Sequence, residues 1–209
     1  MNTEAVLDEG LGALGVPLDP EKQRRLLAFA SMVERWNRTF NLTSIRDPRR
    51  IMTHHLLDSV AVLPHLPSGS LADIGAGGGF PGIPVAIAQP ERPVTLVDSN
   101  SKKTAFLRQV AIELALPNMF VHEGRVEDWK PKNGFDVLIA RAFASLAGFV
   151  GATRHLLSEA GEWVAMKGAL PEAEIAELGT DIEVASFIRL DVPYLGAERH
   201  LIRLRRRST

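Results

Sequence analysis

Two textures of apolar spacing divide the chain. Up to residue 66, apolar positions recur at the three-to-four spacing of a helix face, as in Leu26, Phe29, Val33 and Trp36. Asp19-Pro20-Glu21 precedes that stripe and reads as a helix start: a capping acid, proline in the first helical position, and an acid at the positive end of the helix dipole. Asp47-Pro48 repeats the signal and predicts a helix running to about residue 63, before Pro64 and Pro67 break the pattern. From Ser70 onward, short apolar runs alternate with helical stretches. Strands are predicted at 71–74, 94–97, 119–121 and 136–140, with helices near 82–89, 101–116 and 145–158. Leu107, Val110, Ala111 and Leu114 form the buried stripe of one crossover helix. The end differs: EWVAMK at 162–167, a helix near 170–178, then strands at 183–192 and 199–205 too close together for a helical crossover. The pattern predicts an α/β fold. A doubly wound, mostly parallel seven-stranded sheet carries an antiparallel C-terminal edge and a helical N-terminal cap. The expected division is a cap over 1–66 and a sheet unit over 67–209, together one compact whole.

The chemistry concentrates in DIGAGGGFPG, Asp73 to Gly82, which follows a predicted strand and opens a predicted helix. Five glycines within 75–82 exceed what a bare turn requires, and backbone without Cβ admits a ligand. Asp73, beside the first glycine, would repel a phosphate and suits a cationic group. S-adenosylmethionine (SAM) offers two, an amino group and a sulfonium. Gly75 and Gly77 are therefore candidate cofactor contacts. Asp98, ending the next strand, can accept hydrogen bonds from ribose hydroxyls, as acids do there in nucleotide-binding sheets, or can cap the following helix. Val126 and Glu127 follow the third strand, where backbone or side chain can contact an adenine. His55 and Asp58, three apart, share one side of the 48–63 helix, either as an interior clasp or as a roof over the pocket.

Net charge changes the picture only when resolved along the chain. The total of −1 argues against a polyanion partner. Yet Lys22 to His55 holds eight basic residues against two acids, residues 156–191 hold eight acids against two bases, and Arg199 to Thr209 holds five arginines and no acid. A one-sided phosphate-binding surface is expected from Arg46, Arg49 and Arg50 in the cap, Lys102 and Lys103 beside the pocket, Lys167 after the fifth strand, and Arg199, Arg203 and Arg205 at the end. Cysteine is absent and the six histidines show no ligand spacing, so neither a thiol nucleophile nor a metal is expected. No apolar run approaches the ~20 residues of a membrane span, and MNTEAVLDEG lacks the basic stretch of a secretory leader.

Particular stretches carry a resemblance: WNRTFNLTSIRDP (36–48), HHLLDSV (54–60), DIGAGGGFPGIP (73–84), LVDSNSKKTAFLRQV (96–110), RVED (125–128), RAFASL (141–146), MKG (166–168) and ERHLI (198–202). In this order the chain resembles the bacterial 16S rRNA (guanine-N7) methyltransferase G family, also called glucose-inhibited division protein B, within the class I SAM-dependent methyltransferases. The resemblance implies SAM as cofactor and methyl transfer to N7 of a specific guanine. It implies 16S rRNA or the small ribosomal subunit as partner, with no membrane or metal, and a cytoplasmic monomer. It places Gly75, Phe80, Val126, Glu127 and Arg141 in the cofactor pocket, with Phe80 where some members carry leucine. N7 has an in-plane lone pair and no proton, so no catalytic base is assigned; Arg141 alone stands as a possible catalytic group. The segment IARAFAS lacks the Asn/Asp-Pro-Pro-aromatic motif usual in exocyclic-amine methylation. The alternatives are a SAM-dependent enzyme acting on another RNA or a small molecule, a SAM-binding regulator, and a nicotinamide-dependent dehydrogenase, which Asp73 disfavours.

Overall fold

A computed structural model describes residues 3–207. Seven strands build one sheet: β1 (Leu71–Ile74), β2 (Val94–Asp98), β3 (Met119–Glu123), β4 (Phe135–Arg141), β5 (Leu157–Lys167), β6 (Ile182–Arg189) and β7 (His200–Arg206). Their order is β3-β2-β1-β4-β5-β7-β6. The first five strands pair in parallel. β7 lies antiparallel between β5 and β6, as the short spacing of the last apolar runs predicts. The chain winds outward from β1 to β3 and then crosses to β4 on the other side of β1. In such sheets the crevice outside the carboxyl ends of the strands at that reversal is where ligands bind.

The cap comprises α1 (Thr3–Leu14), α2 (Pro20–Phe40), α3 (Pro48–Ile51), a π-helical turn (Met52–Leu57) and α4 (Asp58–Val60). The predicted starts are realised: Asp19 accepts from the Lys22 amide at 2.9 Å and Asp47 from the Arg49 amide at 3.0 Å. The cap packs on the same sheet face as α5 (Gly82–Ala88) and α6 (Ser101–Glu113), and one apolar cluster joins all of them. Phe29 of α2 is wholly buried, 4.9 Å from the Phe80 ring and 6.4 Å from Phe106. Burying a side chain of that size stabilises the fold by roughly 1.5–3 kcal/mol. The opposite face is covered by α7 (Leu146–Thr153) and α8 (Glu172–Ala176) around buried Trp163. The Trp163 indole donates to Thr153 Oγ1 at 2.9 Å, leaving that buried donor satisfied.

Two elements differ from the predicted pattern. The helix expected over 48–63 is broken by the π turn, whose wider winding redirects the residues after it. The helix expected over 145–158 stops at Thr153, and β5 already begins at Leu157. Its first residues pair with β4 across a register shift, where a Cβ on Gly161 would stand 2.8 Å from the Phe135 carbonyl. Among the described residues, no helix is long and apolar enough to cross a membrane.

Candidate cofactor-binding site

A crevice of about 380 Å³ opens at the carboxyl ends of β1 and β2 and beside the turn after β3. Of the residues singled out from sequence, Gly75, Asp98, Lys103, Val126 and Glu127 line it. Ile74, Ser99, Arg125 and Phe143 line it as well; each lies within a quoted motif but was not singled out as a site residue. Phe143 lies two residues beyond β4, within RAFASL, so that stretch was the available signal.

The glycines of the loop do two different jobs. Gly75 and Gly77 have φ of +69° and +57°, a region that side chains other than glycine enter at a steric cost. A Cβ on Gly75 would meet nothing within 4 Å, leaving open space at its side of the crevice. Gly82 instead answers to packing: a Cβ there would stand 2.7 Å from Asp73 Oδ2 and 3.1 Å from Leu96 Cγ. Asp98 ties the loop to β2. Its Oδ2 accepts from the Gly77 amide at 2.9 Å and its Oδ1 from the Asn100 amide at 2.8 Å. Asn100, not Asp98, caps α6 by accepting from the Lys102 and Lys103 amides.

Asp73 lies beneath the loop rather than in the crevice lining, and is 1% exposed. Oδ2 accepts from the Gly82 amide at 2.8 Å, whereas Oδ1 has no hydrogen-bond partner. Burial pushes the carboxyl up to about 7, against the pull of the Gly82 bond and the Arg141 charge. A buried carboxyl oxygen without a donor, next to a loop that keeps one side free of Cβ, fits a ligand whose positive charge would favour the carboxylate. SAM meets that description.

Arg141 and Phe80 stand behind the loop and do not line this crevice. Phe80 is buried between the rings of Phe29 and His55, the latter stacked at 4.6 Å, with the Arg141 guanidinium 5.4 Å from its centroid. Arg141 Nη1 donates to the His54 carbonyl at 3.3 Å and to Asp58 Oδ2 at 3.4 Å. His55 Nδ1 lies 3.0 Å from both Arg141 Nη1 and the His54 carbonyl, and its Nε2 lies 2.7 Å from Thr43 Oγ1. Burial and the Arg141 charge lower the imidazole to about 3, so His55 is neutral. Asp58 is fully buried, and its other oxygen accepts from Arg199 Nε at 2.6 Å. His55 and Asp58 thus form an interior clasp, and its counterparts are Arg141 and Arg199, which tie the cap to the sheet.

The cations of the expected phosphate surface fall into two kinds of surroundings. Lys167 donates to both Glu174 oxygens, at 2.8 and 3.0 Å, and to the Phe143 carbonyl at 3.2 Å. Arg199 is held by Asp58, Arg203 by both oxygens of Glu162, and Arg205 by Glu183. These four are each paired with a carboxylate of the same chain. Arg46, Arg49, Arg50 and Lys102 are exposed, and Lys103 is half-buried on the crevice wall. Among the described residues, no group of three or more His, Asp or Glu could hold a metal ion.

The family model described as rRNA small subunit methyltransferase G matches residues 22–202. Ribosomal RNA small subunit methyltransferase G of Aromatoleum aromaticum is 51% identical over 207 residues, covering 97% of this chain and 98% of that one. The Laribacter hongkongensis protein of the same name is 48% identical over 204 residues, covering 98% and 99%. Among solved structures, the glycopeptide N-methyltransferase MtfA complexed with SAM superimposes with a TM-score of 0.60 at 12% identity, covering 74% of this chain and 94% of that one. The ribosomal protein L11 methylase of Lactobacillus delbrueckii superimposes with a TM-score of 0.54 at 16% identity, covering 73% and 77%. At such identities these two likenesses speak to the fold alone.

Proposed function

The chain belongs to the rRNA small subunit methyltransferase G family, and from that premise we propose that it transfers the methyl group of SAM to N7 of a guanine in 16S rRNA. The observation that carries the reading is the crevice at the sheet reversal, with Gly75 open on one side, Asp98 and Glu127 on its walls, and the undonated Asp73 oxygen beneath the loop. Bound there, SAM supplies an electrophilic methyl group on a sulfonium. The residues of this chain hold and orient. Asp98 presents to the ribose the lone pairs left over from its two amide contacts. Val126 and Glu127 face the adenine, and Asp73 offers negative charge to the cationic end. The clasp of Asp58 with Arg141 and Arg199 fixes the end of β4, from which Phe143 reaches the crevice.

Guanine N7 carries no proton, so the chain has none to remove, and the barrier is lowered by alignment. Holding nucleophile, methyl carbon and sulfur in line is worth roughly 7–11 kcal/mol. A stacked base cannot enter such a crevice, so the target guanine is single-stranded or turned out of its stack. The test is incubation with labelled SAM and small-subunit rRNA from cells lacking the activity, followed by mapping of the methylated base. Label at N7 of one guanine is expected. Label in no rRNA, or on an exocyclic nitrogen, would overturn the proposal.

A further inference from the structure

The cations of this protein divide by what they touch. At the antiparallel edge they are neutralised within the sheet: Arg203 pairs with Glu162, Arg205 and Arg207 with Glu183, and Arg154 with Asp181. Elsewhere the pattern changes. Arg38 and Arg50 in the cap, and Lys102, Lys103 and Arg125 across the crevice, have no carboxylate within ion-pair distance among the described residues. Arg46 donates to the neutral amide of Asn41 at 3.2 Å.

Contacts tie the cap segment that carries these cations to the glycine loop and to the end of β4. The Leu42 carbonyl lies 3.6 Å from where a Cβ on Gly78 would stand, so the segment carrying Asn41 and Arg46 rests against the glycine loop. Arg50 belongs to α3, which runs directly into the π turn whose His54 carbonyl accepts from Arg141 at the end of β4. Arg38 and Arg46 together line a groove of about 260 Å³ with Glu34 and Asn37. On the other side Lys103 and Arg125 line the crevice itself, and Lys102 is exposed beside them. The nearby acids are few: Glu34 in the cap groove, Asp98 and Glu127 on the crevice wall, and Asp47; Asp98 accepts from the Gly77 and Asn100 amides and Asp47 Oδ1 from the Arg49 amide.

We infer that these two banks, Arg38, Arg46 and Arg50 on the cap and Lys102, Lys103 and Arg125 on the sheet, grip the phosphodiester backbone of an RNA that crosses the crevice mouth. The inference rests on the proposed rRNA substrate and adds where the strand runs. Cations without carboxylates gain from each phosphate they meet and release condensed counterions, whereas the edge arginines would first have to surrender an existing partner. A strand held on both banks presents the nucleotide between them to the crevice.

The test compares Arg46→Gln with Arg50→Gln as one double variant, Lys102→Gln as a second, and Arg205→Gln as a third. RNA affinity is measured against 16S rRNA across a salt series, SAM affinity by calorimetry, and folding by circular dichroism. Each bank cation removed should weaken RNA binding roughly three- to tenfold at low salt and shrink the slope of log Kd against log salt by about 1. SAM affinity should stay at the wild-type value in the two bank variants, and Arg205→Gln should leave the salt slope unchanged. Bank variants that bind RNA like wild type, or a slope that falls only with Arg205→Gln, would overturn the inference while leaving the methylation reading intact. Joint loss of SAM and RNA binding would make the banks structural and would also overturn it. Failure of the wild-type protein to methylate any rRNA would instead strike the proposed function.

Discussion

Replacing Asp73 by asparagine should make the protein more stable and a worse binder of SAM. The carboxyl is buried, accepts one hydrogen bond from Gly82 and leaves one oxygen without a donor. Burial raises it from 3.8 to about 7 in the folded protein. Below about pH 4 the group is protonated in both folded and unfolded chains, and its burial carries no ionisation penalty. As pH rises from 4 to 7 the unfolded chain gives up its proton first, so folding becomes progressively less favourable; above 7 the whole penalty is present. At about 1.36 kcal/mol per unit, the penalty reaches about 1.5 kcal/mol at pH 5 and about 4 kcal/mol at pH 8. Asparagine keeps the shape and the acceptor for Gly82 and has nothing to ionise. Urea unfolding of both proteins should show the variant ahead by a margin that widens by up to about 3 kcal/mol between pH 5 and pH 8. A margin that stays flat, or a variant less stable at pH 8, would refute the burial argument. Calorimetry supplies the other half. Wild-type SAM affinity should fall as pH drops below 7, by up to about tenfold per unit, because the binding-competent form is the carboxylate. The variant should bind weakly at every pH.

Two further perturbations separate ligand space from packing and test the clasp. Gly75→Ala adds a methyl that meets no protein atom within 4 Å, at φ +69°, so stability should drop by only about 1–2 kcal/mol while SAM affinity falls at least about tenfold; an unchanged SAM Kd would remove Gly75 from the site. Gly82→Ala drives a Cβ toward the Asp73 carboxylate and Leu96, and should cost about 1–3 kcal/mol in thermal or urea unfolding. Asp58→Asn leaves Arg141 and Arg199 facing each other without their shared carboxylate, a loss of about 3 kcal/mol in urea unfolding; less than about 1 kcal/mol would mean that the two arginines find other partners.

The parallel strands were legible because each is a short apolar run closed by a glycine or polar turn, and LADI coincides with β1 residue for residue. Helix starts were legible because a capping acid followed by proline leaves little alternative, as Asp19 and Asp47 demonstrate. The π turn was not. HHLLDSV has ordinary helical spacing, and only its tertiary partners, Arg141 from β4 and Arg199 before β7, reward the altered winding. The start of β5 was missed because Leu157 to Gly161 is half polar and sits on a bulge. In the site, the wall residues that follow glycine and acid signals were found. Ser99 and Arg125 were not singled out, although both lie inside quoted motifs, because a motif does not say which of its polar side chains faces the ligand. Phe80 and Arg141 show the opposite limit. A linear motif does not reveal which side of a loop a side chain takes, and both pack behind it.

Charge illustrates that limit most sharply. Five arginines in the last eleven residues look like a polyanion tail when read as a run. A β-strand between two partners, however, sets its side chains opposite those of its neighbours, and the neighbours here are the acid-rich segments. Arg205 faces Glu162 in one register and Glu183 in the other. Arg206 turns inward to the carbonyls of Ser158, Leu157 and Arg154 and lies over the Trp163 ring. The tail and the acidic stretch therefore cancel locally as well as in the sum, so charge removed at that edge acts on folding. The cap arginines have no such neighbouring strand. Their excess over the nearby acids survives folding, so charge removed there acts on what the surface binds, and a net charge of −1 is compatible with a strongly salt-dependent grip on RNA.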